Sequence, residues 1–254
     1  MIRSLVRRRG RSYQALGVLA VLAMLIWYLA LLASSRTIPA FPIPEPLPAP
    51  PVPHVMKVGI QAGHWKTYDV PDELSQLRYA AGAMQSDWDE FIVNLDTARS
   101  VVAILRAKGV DAELLPTTIP EGYTADAFIA LHGDASQNTK ASGFKAVHSE
   151  WSTDVERDDV LVGDIVAAYQ AASGLREDRA SITDDMTEYY AFNYRKYRHS
   201  VNANTPTAIL EMGFLTNDFD RRLMLSEKDR LAGGIASGIL DFLSWYDRRL
   251  SVGR

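Results

Sequence analysis

The 254-residue chain contains no cysteine. Disulfides, thiolate metal sites, iron–sulfur clusters and a cysteine nucleophile are excluded together. Histidine is also scarce. The five are His54, His64, His132, His148 and His199, so any metal site must combine a few imidazoles with carboxylates. Acidic residues are missing from positions 1–44, where six arginines fall (Arg3, Arg7, Arg8, Arg9, Arg11 and Arg36). The other 21 basic side chains face all 31 acidic ones, so the body of the protein carries a charge of −10 behind an overall −4. A body this acidic is unsuited to nucleic acid, whose binding depends on neutralising phosphates. Several motifs are absent too: a G-x-S-x-G elbow, H-E-x-x-H, a phosphate-binding P-loop and a Rossmann glycine fingerprint. This removes the common serine-hydrolase, thermolysin-like, nucleotidase and dehydrogenase chemistries.

The N-terminal region has its own character. No charged side chain lies between Ser12 and Ser35, and residues 15–33 (ALGVLAVLAMLIWYLALLA) are almost wholly apolar. About 20 residues of helix cross a hydrocarbon core of roughly 30 Å. Five arginines precede the run and one follows it, so the positive-inside rule keeps the N-terminus cytoplasmic and exports what comes after. The sequence therefore predicts a cytoplasmic basic segment over 1–12 and a transmembrane signal-anchor over 13–35. The alternative is a cleaved signal peptide and a secreted product, although the apolar core of such peptides is usually about 7–15 residues. Eight of the 12 prolines then fall between Pro39 and Pro53. Alternating proline favours polyproline II, about 3.1 Å per residue, which predicts a semi-rigid stalk over 36–54.

Residues 55–250 carry the folded domain. MKVGIQ (56–61), DAELL (111–115), AFIALH (127–132) and TAILEM (207–212) are strand-like apolar runs, and FKAVHS is a weaker one. Between them, 89–108 repeats Phe91, Leu95, Ala98, Val102 and Leu105 at helical spacing and stops at Gly109. Residues 158–172 are helical up to Gly174. Ser226 followed by Asp229 reads as a capping box opening a last helix through Leu231, Ile235, Ile239, Leu243 and Tyr246. Strands alternating with helices predict an α/β layered sheet.

Four polar residues sit where these elements end or begin. His64 follows the first strand, Glu90 heads the first long helix, His132 closes FIALH and Glu211 follows the apolar Ala208–Leu210. Open α/β sheets bind ligands outside the carboxyl ends of their strands. Two histidines and a glutamate meeting there make a His₂Glu zinc set with an open position, and a further carboxylate makes a general base. Each residue also has a plainer reading. A histidine after a strand is commonly structural, and Glu90 suits the positive end of a helix. Glu211 is harder to dismiss, because a buried carboxylate needs a partner.

VGIQAGH, DEFIVN, AFIALHGDAS and PTAILEMGFLTND, in this order, resemble the zinc-dependent N-acetylmuramoyl-L-alanine amidases of the amidase-3 type, over essentially all of 57–246. The resemblance implies a single three-layer α/β domain, its central, mostly parallel sheet flanked by helices. It implies a peptidoglycan substrate, cut between the lactyl group of N-acetylmuramic acid and L-alanine. His64, Glu90 and His132 would hold Zn²⁺ and Glu211 would be the catalytic glutamate. No motif identifies a protein activator. The chain departs from the family pattern in three places. Gln61 replaces the usual Asp, Trp65-Lys66 replaces Gly-Gly, and the stretch before FIALH lacks Thr-Arg-x-x-Asp and Arg-x-x-x-Ala-Asn. Asp134 is a candidate partner for His132, with a loop-capping role equally open. The aromatic and basic segment 187–200 reads either as a sugar or peptide groove or as plain packing with a solvated basic edge, and His199 is a candidate for holding the transition-state oxygen. Two other readings stay open: an inactive, membrane-tethered wall-binding scaffold, and a zinc hydrolase of another amide.

Overall fold

The computed structural model describes residues 3–33, 54–80, 82, 84–85 and 88–252. They fall into two compact units, Met1–Val52 and Pro53–Arg254. In the first, the apolar run is helical, within α1 (Arg3–Ala33). The predicted transmembrane span over 13–35 is nevertheless not supported: among the described residues no helix is long and apolar enough to cross a membrane. Almost all of the proline-rich stretch predicted as a stalk (36–54) lies outside the described residues.

The second unit begins with β1 (Lys57–Ala62), followed by a small antiparallel ribbon of β2 (Met84–Gln85) and β3 (Trp88–Asp89). Next come α2 (Glu90–Ala107), β4 (Asp111–Leu115), β5 (Ala127–Asp134), β6 (Lys145–Val147) and α3 (Val155–Ser173). The chain ends with the one-turn α4 (Asp184–Thr187), β7 (Thr207–Phe214), α5 (Asp218–Ser226) and α6 (Lys228–Val252). One sheet has the order β4-β1-β5-β7-β6, with four parallel strands and β6 antiparallel at the edge. The mostly parallel sheet expected from the alternating pattern is present. Strands β1 and β5 are neighbours, yet the chain leaves β1 toward β4 on one side and returns to β5 on the other. The winding reverses there, and a crevice opens at the carboxyl ends of these two strands.

Period-two alternation sorts the strand residues. Val58, Ile60, Ala62, Ile129, Leu131, Ala208, Leu210 and Met212 join one core with the apolar stripes of α2, α3 and α6. Phe128, Ala130 and Ile209 point to the other face together with Leu115 of β4, and Ile119, Met186 and Phe192 from irregular segments and α4 cover them. By the same alternation Gln61, His132, Lys145 and Glu211 belong to this second face.

Helix termini follow local chemistry. Asp154 caps α3 by accepting from the Arg157 N–H (3.2 Å), and Gly174 ends it at φ 73°. Helix α5 was not anticipated from the pattern. Asn217 caps it, accepting from the N–H groups of Phe219 (2.9 Å) and Asp220 (3.2 Å). The expected capping box does not form. Ser226 is instead the last residue of α5, its hydroxyl donating back to the Arg222 carbonyl (2.6 Å), while Asp229 accepts from Ser100 (3.0 Å). Two helices in succession left no free turn for the box.

Two glycines of α6 separate packing from helix propensity. A Cβ at Gly238 would lie 2.6 Å from the Asp164 carbonyl oxygen and from Ile165 Cα on α3, whereas one at Gly233 meets nothing within 4 Å. Gly238→Ala is expected to destabilise by about 1–3 kcal/mol through forced helix separation. Gly233→Ala is expected to stabilise by up to about 1 kcal/mol. Denaturant unfolding of the two variants checks both signs.

Candidate metal centre and active site

The chain turns sharply after β1. His64 takes the left-handed conformation at φ 61°, as does Lys66 at φ 64°. Such backbone costs about 1–3 kcal/mol at a non-glycine residue and persists only where its surroundings hold it. Here the His64 Nδ1–H donates to the Ala80 carbonyl (2.7 Å), which leaves Nε2 facing inward, 3.4 Å from Glu90 Oε1. Glu90 opens α2 and is buried. Its Oε1 accepts from the Asn94 side-chain amide (3.1 Å), one helical turn on, and from the Gly133 N–H (3.2 Å). His132, buried near the end of β5, places Nδ1 3.0 Å from the same oxygen. Its ring stands edge-on to that of His64, centroids 4.9 Å apart. One ligand atom from each of His64, Glu90 and His132 lies within 4.8 Å of the others.

This close approach depends on Gly63. A Cβ there would come within 2.3–2.6 Å of the His132 ring. The carbonyl of Gly63 also accepts from Asn94 (3.1 Å), so one amide holds both the turn and the carboxylate.

Glu211 lies beside the cluster. It is in register with His132 on β5 and with Lys145 on β6. Its Oε2 is fully buried and has no hydrogen-bond partner among the described residues. Burial is the main cause that pushes its carboxyl up to about 7; the charge of His132 opposes the rise, and those of Glu90 and Asp134 add to it. The two histidines move in opposite directions. Burial, then the charge of His132, holds His64 below the usual imidazole range. Burial also disfavours charge on His132, but the hydrogen bond to Glu90 and the nearby carboxylates outweigh it and raise that group.

The other candidates go elsewhere. Asp134 pairs with the buried Lys145 and receives the Ala135 N–H (2.7 Å); the group on the far nitrogen of His132 is the Tyr189 hydroxyl (3.0 Å). His199 bonds Glu73 (2.7 Å), His54 pairs with Asp126 (3.0 Å) and His148 with Asp159 (3.2 Å), so none joins the cluster. Trp65 packs against the helix-side core. The aromatic segment divides. Tyr189, Tyr190 and Phe192 pack inward. Tyr194, Arg195, Lys196 and Tyr197 line a surface cavity of about 580 Å³. Two neighbours of the cluster had gone unnoticed. Asn94 had a signal in its i+4 spacing from Glu90. Lys145 had one in being a lone cation within a strand-like run.

The family model of Amidase_3, described as N-acetylmuramoyl-L-alanine amidase, matches residues 58–241. This chain belongs to that family. Its chemistry is hydrolysis of an amide in peptidoglycan. The fold is shared with solved structures of low identity. The catalytic domain of CwlV, an N-acetylmuramoyl-L-alanine amidase from Bacillus (Paenibacillus) polymyxa var. colistinus, is 19% identical (TM-score 0.53), covering 75% of this chain and 99% of its own. The amidase Ami1 from Mycobacterium smegmatis is 18% identical (TM-score 0.54), covering 74% and 97%. CwlD from Clostridioides difficile, solved in complex with the GerS lipoprotein, is 16% identical (TM-score 0.54), covering 74% and 98%. No curated protein matches significantly.

The donor chemistry fits Zn²⁺. Two imidazole nitrogens and one carboxylate oxygen are a zinc set that leaves a position open. An alanine at 63 would displace the His132 ring, so Gly63→Ala is expected to weaken zinc binding by about 10–100-fold, the range typical of disturbed ligand support. Chelator competition measures this, and unchanged affinity would contradict the geometry.

Proposed function

We propose that the chain cleaves the bond between N-acetylmuramic acid and L-alanine outside the cytoplasm, with Zn²⁺ held by His64, Glu90 and His132 and with Glu211 as proton carrier. One observation carries this reading: three donor atoms within 4.8 Å of each other, beside a carboxylate whose buried oxygen has no partner. A bound zinc ion supplies Lewis-acid polarisation of the scissile carbonyl and makes water more acidic. The protein supplies the rest. Glu211 takes the proton from the attacking water and delivers it to the departing L-alanine nitrogen. Such assistance contributes typically about 10²–10⁴-fold. A carboxyl pushed up to about 7 suits both halves of the task near neutral pH. The Asp134–Lys145 pair beside it contributes two opposite charges that largely cancel.

Glu211→Gln is expected to lower turnover on purified sacculi by about 10²–10⁴-fold with zinc content unchanged, whereas His64→Ala and His132→Ala lose the metal as well. Mass analysis of the digest should find free lactyl ends and new L-alanine N-termini. Cuts elsewhere in the stem would make the chain a peptidase. Zinc uptake without any cut would make it a wall-binding protein.

The pH profile has a defined sign. Glu211 must be ionised to accept a proton, so kcat/KM falls as pH drops through its pKa. A bound cation lowers that pKa, which puts the acid limb at or below about pH 7. A rate profile from about pH 5 to about pH 8 tests this. Activity that rises steadily toward acid would remove Glu211 from the role.

A further inference from the structure

A buried chain of hydrogen bonds runs behind His132, on the side away from the donor cluster. Gln61, in β1, is fully buried. Its amide nitrogen faces the carbonyls of Thr117 (3.0 Å) and Pro116 (3.2 Å) and the Tyr190 hydroxyl (2.9 Å). Carbonyl oxygens only accept, so the amide has one workable orientation, nitrogen toward them and Oε1 toward Tyr189. Oε1 also only accepts. The Tyr189 hydroxyl, 3.0 Å away, is the donor that reaches it among the described residues. A buried acceptor left unpaired is costly, so the single proton of Tyr189 goes to Gln61. Tyr190 directs its own proton to the Thr117 carbonyl (2.7 Å). With its proton committed, the Tyr189 oxygen can only accept from His132 Nε2, 3.0 Å away. That nitrogen therefore carries hydrogen whether or not a metal is bound, and Nδ1, which faces Glu90, is the nitrogen free to give up its proton to a metal ion.

We propose that Gln61 and Tyr189 are positioning residues that fix the tautomer of His132 so that Nδ1 is presented to the metal. The inference rests on the zinc reading above. It also accounts for a departure from the family pattern. Gln61 stands where the resembling amidases usually have Asp, and a carboxylate has no protons for the Pro116 and Thr117 carbonyls. In this chain the relay requires an amide.

The test uses the full chain. In the zinc-loaded, nitrogen-15-histidine-labelled protein, two-bond couplings should place hydrogen on Nε2 and the ion on Nδ1 of His132. The ion on Nε2 overturns the proposal. Tyr189→Phe removes the acceptor and should weaken zinc by about 10–100-fold in chelator competition. Gln61→Met frees the tyrosine proton to turn toward Nε2, which drives the histidine proton onto Nδ1, and should weaken zinc at least as much. Adding Tyr189→Phe to Gln61→Met should then recover part of the loss, because the hydroxyl has become harmful. Simple packing defects would instead accumulate. Zinc affinity within about threefold of wild type in Tyr189→Phe, or a double variant weaker than Gln61→Met, overturns the proposal. If Gln61→Met does not fold, the wild-type spectrum and Tyr189→Phe decide alone. A wild-type chain that takes up no zinc sinks the zinc reading itself, which keeps the two failures distinct.

Discussion

A single carboxylate oxygen organises the centre of this domain. Glu90 Oε1 has an amide from Asn94, the backbone N–H of Gly133 and the ring nitrogens of His64 and His132 arranged around it. A buried carboxylate is costly unless polar groups surround it, and these come from a helix, a strand end and a turn. Satisfying this group fixes the relative placement of all three. The contacts also explain why the turn after β1 tolerates a strained His64. Its ring is held between the Ala80 carbonyl and Glu90, so relaxing the backbone would break both contacts.

The sheet supplies the second constraint. Gln61, His132 and Glu211 sit on three adjacent parallel strands, and pleating sends them to the face away from the long helices. That face is covered by irregular chain, which brings tyrosine hydroxyls and backbone carbonyls against the strand ends. Long helices there would have offered mostly aliphatic contacts. A layer built from loops therefore suits polar chemistry at the sheet edge, while the helix-backed face carries most of the apolar core.

Much of this was legible from residue patterns, for identifiable reasons. The apolar runs at 56–61, 127–132 and 207–212 fall on strands buried on both sides, so hydrophobicity alone marks them as strands. Gly109 and Gly174 take positive φ after α2 and α3, so those helix ends were readable too. The convergence of His64, Glu90 and His132 was readable because each stands at a terminus on the carboxyl side of the sheet. Other features depend on tertiary neighbours. The capping box at Ser226 failed because α5 occupies the residues before it, and no local pattern announces that. Asp134 lies two residues from His132, yet a bulge between them separates their pairing and the aspartate turns to Lys145. The group that does meet His132 is 57 residues away in sequence. The N-terminal run has the composition of a span, yet among the described residues no helix is long and apolar enough to cross a membrane.

Two glutamates so close together take different environments, and the difference separates what each can do. Glu90 accepts from fixed N–H donors and faces two imidazoles, an arrangement that favours binding a cation over exchanging protons. Glu211 has one oxygen sealed from water and unpaired, so neither of its protonation states is fully satisfied by the fold. Giving Glu211 the donors of Glu90 would stabilise the domain, but it would lower the carboxyl's pKa and remove its capacity to carry a proton near neutrality. The unpaired oxygen is therefore better understood as a cost of a few kcal/mol at most, in the range of an unmade buried hydrogen bond, kept where the chemistry needs a base that is not already engaged.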